Sequence, residues 1–236
     1  MISTTAKSTS LPLYLQLSEF LIREISVGRL ADGDKFPPER EMAKNHQTTV
    51  TTLRKALAIL EQKGLLERVH GSGNYIRQKT SVDSVYSMFR LELIGGGGLP
   101  TAKLISVKEK EKPCDLPKFG TSNRATQIRR LRFLDSTLVA LEEIWLDRDA
   151  GQIDDKRLQD SLYRYYEKHL RFWISRAQDA VGIGSIPDWG PSEFSVLPGE
   201  PSGYIERMSW AQGSEPVEFS RTWFDSQRCN YVQRLK

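Results

Sequence analysis

Residues 37–76, PPEREMAKNHQTTVTTLRKALAILEQKGLLERVHGSGNYI, divide into a short helix, a tight connection, a longer helix and a hairpin. Pro37-Pro38 forces an extended entry, because proline disfavours the helical region for the residue before it. The first helix therefore begins near Glu39 and runs about two turns to Asn45. Thr48 or Thr49 supplies a side-chain oxygen to cap the second helix. In that helix Val50, Leu53, Leu57 and Leu60 recur at three and four residues, the spacing of one buried stripe. Gly64 ends it, and LLERVHGSGNYIRQ follows as two strand-like runs around His70-Gly71-Ser72-Gly73. Together these elements predict a winged helix-turn-helix, in which the second helix enters the major groove of DNA and a hairpin wing lies beside it.

Upstream, LPLYLQLSEFLIREISVG predicts a helix with Tyr14, Leu17, Leu21 and Ile25 on one stripe and Gly28 as its stop. The first ten residues are polar and lack the apolar core of a secretory signal, so they read as a frayed tail of a cytoplasmic protein. No apolar run approaches the roughly 18 residues that would span a bilayer. The predicted organisation is a tail over 1–10, a DNA-reading domain over 11–78, a joint over 79–100 and a second domain over 101–236. Within the joint, VYSMFRLELI is compatible with a short docking helix, and the four glycines at 95–98 predict flexibility.

Beyond the joint, strand-like runs recur as AKLISVKEKE, TQIRRLRFLD, LVALEEIWLD, FWISRAQDAV, GYIERMSWAQG and VEFSRTWFD. RLQDSLYRYYEKHL is one clear helix among them, and IPDWGPSEF adds a turn or two. Strands with few helices predict an antiparallel sheet, so the whole chain reads as α+β. Residues 1–79 hold 12 Lys+Arg against 8 Asp+Glu, whereas residues 80–236 hold 22 of each. The net charge of +4 thus sits on the DNA-reading half, as phosphate binding favours. Cys114 and Cys229 read as reduced, buried thiols. The three histidines, His46, His70 and His169, are scattered, so no metal cluster and no nucleophile with a nearby base is legible, and no cofactor is expected.

At about 100° per residue, Thr48, Thr51, Thr52 and Lys55 point away from the buried stripe, with Arg54 at its border. Threonine hydroxyls suit phosphates, its methyl suits thymine, and Arg or Lys reaches phosphates or guanine edges. Arg40 opens the preceding helix, and His70 and Gly71 form the wing tip. The candidate DNA-contacting residues are therefore Arg40, Thr49, Thr51, Thr52, Arg54, Lys55, His70 and Gly71. Taken singly, Arg54 and Lys55 read as a solvated face; their joint placement in a helix-turn-helix reverses that reading.

The segment from Pro12 to Ile76 resembles the DNA-binding domain of the GntR superfamily of bacterial transcription regulators. The resemblance rests on Pro12-Leu13-Tyr14, Gly33-Asp34, Pro38-Glu39-Arg40-Glu41, Thr51-Thr52-Leu53-Arg54, Ala56-Leu57, Gly64-Leu65 and His70-Gly71-Ser72-Gly73. By position, Arg40, Thr51, Arg54, His70 and Gly71 match residues through which that family contacts DNA. Two positions depart: Gln47 stands where the family usually has glycine between the helices, and Val50 where it has an arginine near the start of the recognition helix. A shifted operator preference is the expectation.

Residues 101–236 resemble the UTRA effector domain of the HutC subfamily, whose fold is that of chorismate lyase. The marks are Arg130-Leu131-Arg132, Glu142, Ser161-Leu162-Tyr163 and Pro216-Val217-Glu218 with Phe224. Arg130 and Arg132 are two apart on a strand and share a face, so both can meet one anion. Ser161 and the helix start would complete a phosphate, carboxylate or sulfonate cradle. Glu142 and Glu218 would accept from ligand hydroxyls or an amine, and Tyr163 and Phe224 would wall the site. The simpler alternative for Arg130 and Glu142 is a cross-strand ion pair on a solvated face. The resemblance implies a ligand-responsive regulator, a repressor in the first instance, binding a palindromic double-stranded DNA operator as a homodimer. Its effector would be a small anion such as a sugar phosphate, an amino acid derivative, a phosphonate or a sulfonate. The alternative is an enzyme with a chorismate-lyase-like domain attached to a DNA-binding module.

Overall fold

The computed structural model describes residues 12–77, 86, 88–158 and 161–234. The chain folds as two units, one running to Arg90 and taking in the chain end from Tyr231, the other spanning Leu91–Asn230.

The first unit opens on α1 (Leu13–Ser26), whose stripe of Leu17, Leu21 and Ile25 is buried. Phe20 and Ile22 are buried as well, so the packed face is wider than the four-residue stripe read from periodicity. Gly28 takes a left-handed φ of 75°, and the Arg29 N–H closes back on the Glu24 carbonyl at 2.9 Å. α2 (Glu39–Asn45) and α3 (Val50–Gln62) follow. Leu53, Ala56, Leu57 and Leu60 are fully buried, while Val50 is only half-buried, so Ala56 takes the place that the apolar stripe assigned to Val50. Each buried leucine contributes roughly 1.5–3 kcal/mol of transfer free energy. Gly64, at φ 70°, ends the helix, and β1 (Leu66–Val69) and β2 (Gly73–Ile76) form the wing in antiparallel register from Leu66↔Ile76 to Val69↔Gly73. The segment before α2 joins the wing through an Asp34 carbonyl that accepts from Ile76 N–H at 2.9 Å and an Asn74 carbonyl that accepts from Phe36 N–H at 2.9 Å.

The second unit begins with β3 (Leu91–Leu93), which replaces the docking helix expected over VYSMFRLELI; residues 85 and 87 of that run lie outside the described residues. The four glycines are a tight turn here, with Gly96, Gly97 and Gly98 all at positive φ and the Leu93 N–H donating to the Gly97 carbonyl at 3.0 Å. Six strands then build one antiparallel sheet: β4 (Pro100–Glu111), β5 (Arg124–Leu134), β6 (Thr137–Asp147), β7 (Arg176–Ser185), β8 (Pro201–Trp210) and β9 (Pro216–Phe224). Their order across the sheet is β4-β5-β6-β9-β8-β7. A final strand, β10 (Cys229–Tyr231), pairs with β3. The long helix read at 157–170 is one α-helical turn, α4 (Leu162–Tyr165), continued by a π-turn over Tyr166–Leu170; residues 159 and 160 lie outside the described residues. β7 starts four residues later than FWISRAQDAV suggested, which leaves Trp173 exposed.

One face of the sheet carries the apolar core, where Leu131, Leu141 and Trp223 pack with Ile186 and Phe194. Trp145 and Phe219 extend it with Phe119 and Ala125. Cys229 is buried as expected, but Cys114 is exposed, because it lies in the turn-rich connection between β4 and β5; both thiols are free.

Gln47, in the connection between α2 and α3, has a φ of 49°. A left-handed L-residue is strained by about 1–2 kcal/mol, whereas glycine loses roughly 0.5–1 kcal/mol of extra chain entropy on folding. Gln47→Gly should therefore leave stability unchanged or raise it by up to about 1 kcal/mol in urea denaturation. Gln47→Val should lower it by more than about 1 kcal/mol, since a β-branched residue tolerates positive φ poorly.

Candidate functional site

Two surfaces hold the candidate residues. On the first unit, α3 is capped by Thr49, whose Oγ1 accepts from the Thr52 N–H at 3.1 Å and lies 2.9 Å from the Thr52 hydroxyl. Thr49 and Thr52 are thus tied to each other by the helix start, which is a structural employment for two residues read as DNA contacts. Thr51 is exposed on the next position of the same turn. Arg54 is held by Glu39, its Nε donating to Oε2 at 2.6 Å, and the same carboxylate lies 3.5 Å from Arg68 Nη1. This pairing brings Arg54 to the first turn of α2, beside the exposed Arg40. Lys55 leans the other way, with Nζ 5.9 Å from the ring centre of Tyr14 on α1. His70 and Gly71 are exposed at the wing tip, where Gly71 has φ 73°. They line one cleft with Lys35, Glu39, Arg68 and Asn74.

Lys35 and Arg68 are cations of this cleft that sequence reasoning missed. Arg68 sits two residues before His70 on a wing strand, so it was legible as a basic strand residue. Lys35 reaches the wing only because it forms a β-bridge with Tyr75, which no local pattern announces. An exposed pair such as Arg54 with Glu39 contributes between about 0 and 1 kcal/mol. A DNA phosphate can therefore compete for the guanidinium at little cost.

On the second unit, the cross-strand register decides which side chains meet. Residues opposite each other share a face, and Arg130↔Glu142↔Thr222 form one row. Ser220↔Arg207↔Asp179 form the next, and Glu218↔Ser209 the one after. Arg132↔Ala140↔Phe224↔Gly203 lie on the other side of the first row. All of these lie on the face opposite the apolar core, and Arg130, Arg132, Glu218 and Phe224 are buried there.

Arg130 donates from Nε at 2.9 Å and from Nη2 at 2.5 Å to the same oxygen of Glu142. The cross-strand ion pair is real, but it lies on a covered face and not on a solvated one. Burial opposes ionisation of Glu142, yet the charges of Arg130 and Arg132 and the hydrogen bond from Arg130 outweigh it and hold the carboxyl below its ordinary range.

Glu218 accepts from three hydroxyls: Tyr166 Oη at 2.5 Å, Ser209 Oγ at 3.0 Å and Tyr163 Oη at 3.3 Å. Burial raises its carboxyl above the ordinary range in spite of these donors, with the charge of Glu142 acting in the same direction. Burial next to that carboxylate also raises the phenols of Tyr163 and Tyr166. Ser161 is buried and caps α4, its Oγ accepting from the Arg164 N–H at 3.3 Å, so this oxygen is engaged by the helix it opens. The Phe224 ring packs against Gly203, where an added Cβ would come within 2.2 Å of it.

The register adds residues that sequence reasoning did not name. Arg207 is clamped by Asp179 through Nε to Oδ1 at 2.5 Å and Nη2 to Oδ2 at 2.7 Å. Its charge acts on Tyr163 and Glu142. Tyr166 and Ser209 complete the Glu218 cluster. Tyr166 follows Tyr163 at helical spacing, and Ser209 follows Arg207 at strand spacing, so both signals were present. The whole face offers guanidinium groups for an anion beside carboxylate and hydroxyl groups for neutral polar atoms. Among the described residues no group of three or more His, Cys, Asp and Glu side chains is gathered for a metal.

A family model of bacterial regulatory proteins of the gntR family matches residues 13–76, and a UTRA domain model matches residues 96–230. The chain belongs to the gntR family of bacterial regulators. It carries the family's helix-turn-helix followed by a UTRA effector domain, and it is a transcription regulator, not an enzyme. It is 48% identical over 228 residues, 96% of this chain and 97% of the other, to the HTH-type transcriptional regulator SmoD of Agrobacterium fabrum. It is 24% identical to the HTH-type transcriptional repressor NagR of Bacillus subtilis, over 97% of both chains. The crystal structure of a possible transcriptional regulator, YydK of Bacillus subtilis, shares the fold at a TM-score of 0.52 and 18% identity, covering 96% of this chain and 100% of that one.

Two outcomes follow for the regulator's UTRA unit. Gly203→Ala should cost about 1–3 kcal/mol in denaturant unfolding, because the ring of Phe224 has no room to retreat within a packed face. Glu218 should give stability a recognisable pH dependence. Its folded pKa lies above the unfolded value, so it costs nothing while the carboxyl is protonated in both states. The cost grows as pH rises from the unfolded value of 4.5 towards the folded one. The melting temperature of wild type relative to Glu218→Gln should thus fall as pH rises above the unfolded value of 4.5. A difference independent of pH would contradict the assignment.

Proposed function

We propose that this regulator is a repressor that binds a palindromic operator as a homodimer and is released by a small anionic metabolite at the Arg130, Arg132 and Glu218 face. The observation that carries the reading is the buried pair of arginines on one sheet face beside a carboxylate held by three hydroxyls. A buried cation is stabilised by an anion, and bidentate guanidinium contacts suit phosphate, sulfonate, phosphonate or carboxylate groups. Glu142 and Glu218 with Tyr163 then suit a ligand whose remainder carries hydroxyls or an amine, as a sugar phosphate or an amino acid derivative does. Phe224 walls the face. The name of NagR as a repressor supports the sign of regulation. A two-fold operator matches a two-fold dimer.

On the DNA side, Arg40, Thr51, Arg54, His70 and Gly71 are the proposed contacts, with Lys35 and Arg68 lining the cleft of His70 and Gly71. Thr49, Thr52 and Lys55 act through the helix start and the α1 side more than through the groove. Val50 in place of an arginine gives the operator a different core. Effector binding shifts the population between a conformer that fits the half-site spacing and one that does not, by as much as the ligand's differential affinity for the two.

A thermal-shift screen of anionic metabolites tests the effector half. A true effector at 100 times its Kd should stabilise the protein by about 2.7 kcal/mol. Arg130→Ala and Arg132→Ala should each lose that shift and leave operator binding in place. Arg54→Ala should do the reverse, weakening DNA binding with a salt slope reduced by about one while the thermal shift persists. A shift that survives both arginine variants would refute the site, and turnover of an anionic substrate without operator binding would refute the regulator reading.

A further inference from the structure

A carboxylate on a surface that meets DNA needs a reason, because it repels every phosphate that approaches. Glu39 is such a group. Among the described residues that line the wing cleft it is the single acid, beside Lys35, Arg68 and His70. Its two oxygens are shared between two cations. Oε2 accepts from Nε of Arg54 on α3 at 2.6 Å, and Oε1 lies 3.5 Å from Nη1 of Arg68 on the first wing strand. Arg68 is held from its other side as well, its Nε donating to Oε2 of Glu61 on α3 at 2.9 Å. Glu39 opens α2, so one carboxylate is the point at which both helices and the wing meet. The exposures of the pair are unequal: the Glu39 side chain is 20% exposed and that of Arg54 65%. The acid is set back and the guanidinium stands forward of it.

α3 has few other groups with which to read a base. Arg54 is its one arginine. Val50, in place of an arginine, is half-buried. Thr49 and Thr52 are tied to each other at the helix start, and Lys55 lies with its Nζ 5.9 Å from the Tyr14 ring centre.

We propose that Glu39 is a positioning residue that buttresses Arg54 for reading a guanine, and so sets sequence discrimination rather than affinity. This rests on the reading of Arg54 as a DNA contact given above. The bond to Glu39 uses Nε. Nη1 and Nη2 carry the other four N–H donors of the guanidinium, and two of them can meet O6 and N7 of a guanine while the carboxylate stays in place. A phosphate taken on the Nε edge would have to displace the carboxylate first. The buttress therefore favours a base edge over the backbone. It also holds a long side chain in one orientation before DNA arrives, so that less freedom is lost on contact.

Selection from a random duplex pool by the full-length wild type, followed by Kd measurements on the enriched site and its single-base variants, tests the assignment. Arg54→Ala should relax preference at one G·C pair by about 10- to 100-fold, the value of a bidentate arginine contact. Glu39→Gln should relax the same pair at least about tenfold. It should also bind unselected duplex at least as tightly as wild type and keep the wild-type salt slope, since no phosphate contact is lost. Added to Arg54→Ala, it should cost no further discrimination there. Circular dichroism reports whether each variant is folded, and if Glu39→Gln is not, Glu39→Ala decides in its place. If neither folds, Glu39 is a structural residue and the proposal is overturned. A pool without an enriched site, or an Arg54→Ala that weakens every duplex alike, overturns the base-reading role of Arg54 and the proposal with it. Relaxation by Arg54→Ala alone, with Glu39→Gln tightening all duplexes equally, overturns only the role of Glu39. Further loss at that pair in the double variant overturns it too, because Glu39 would then act without Arg54.

Discussion

The two-residue period of the β-strand governs the effector half of this protein. Because alternate side chains leave a strand on opposite sides, β5, β6, β8 and β9 send Leu131, Leu141 and Trp223 to one face, beside the row Arg129↔Glu143↔Arg221, and the candidate ligand-binding groups to the other, beside Ile128 and Ile144. Leu131, Leu141 and Trp223 fill the core side, and Arg130, Glu142, Arg207 and Glu218 are thereby committed to the opposite side. A slip of one residue between any two strands would send guanidinium groups into the core and indole rings to the polar face. The apolar packing therefore holds the polar constellation in register, although none of its atoms touches a ligand.

That polar face is costly to assemble. Arg130 and Glu218 are nearly inaccessible to water, and a buried charge needs both a counter-charge and hydrogen bonds to be tolerated. The face meets the requirement in two different ways. Glu142 stays ionised against Arg130 and Arg132, whereas Glu218 is surrounded by hydroxyl donors and drifts towards its protonated form. Two carboxyls in one site thus differ in charge preference. A ligand that brings an anion to the arginines and hydroxyls to the carboxyls meets partners already held in place, so it loses less entropy on ordering them.

The reader half follows another logic. Its core is small, and the helix stripe and the capping pattern are local, so they could be read residue by residue. The structure moved some residues from one employment to another. Thr49 and Thr52 serve the start of α3, and Arg54 is drawn to Glu39. Gln47 occupies a left-handed position where glycine would be unstrained, which explains in backbone terms why its presence departs from the family pattern.

The three helices of the reader, its wing and the period-two strands were legible in the sequence alone, because each depends on neighbours a few residues away, whereas the helix expected over 157–170 shortened to one turn and a π-turn. The same holds for Arg130, Arg132, Glu142 and Glu218, which lie on well-marked strands, and for the family to which the chain belongs. Strand ends and cross-strand partners were decided only by tertiary structure. Asp179 and Arg207 escaped notice because they meet only across the β7–β8 register, and a residue's face has no meaning until its partner strand is known. The glycines at 95–98, read as a loose joint, became a fixed turn once Leu93 and Leu134 packed around Gly98. Local sequence specifies which conformations a segment prefers; the sheet register, a long-range agreement among six strands, selects which of its side chains meet.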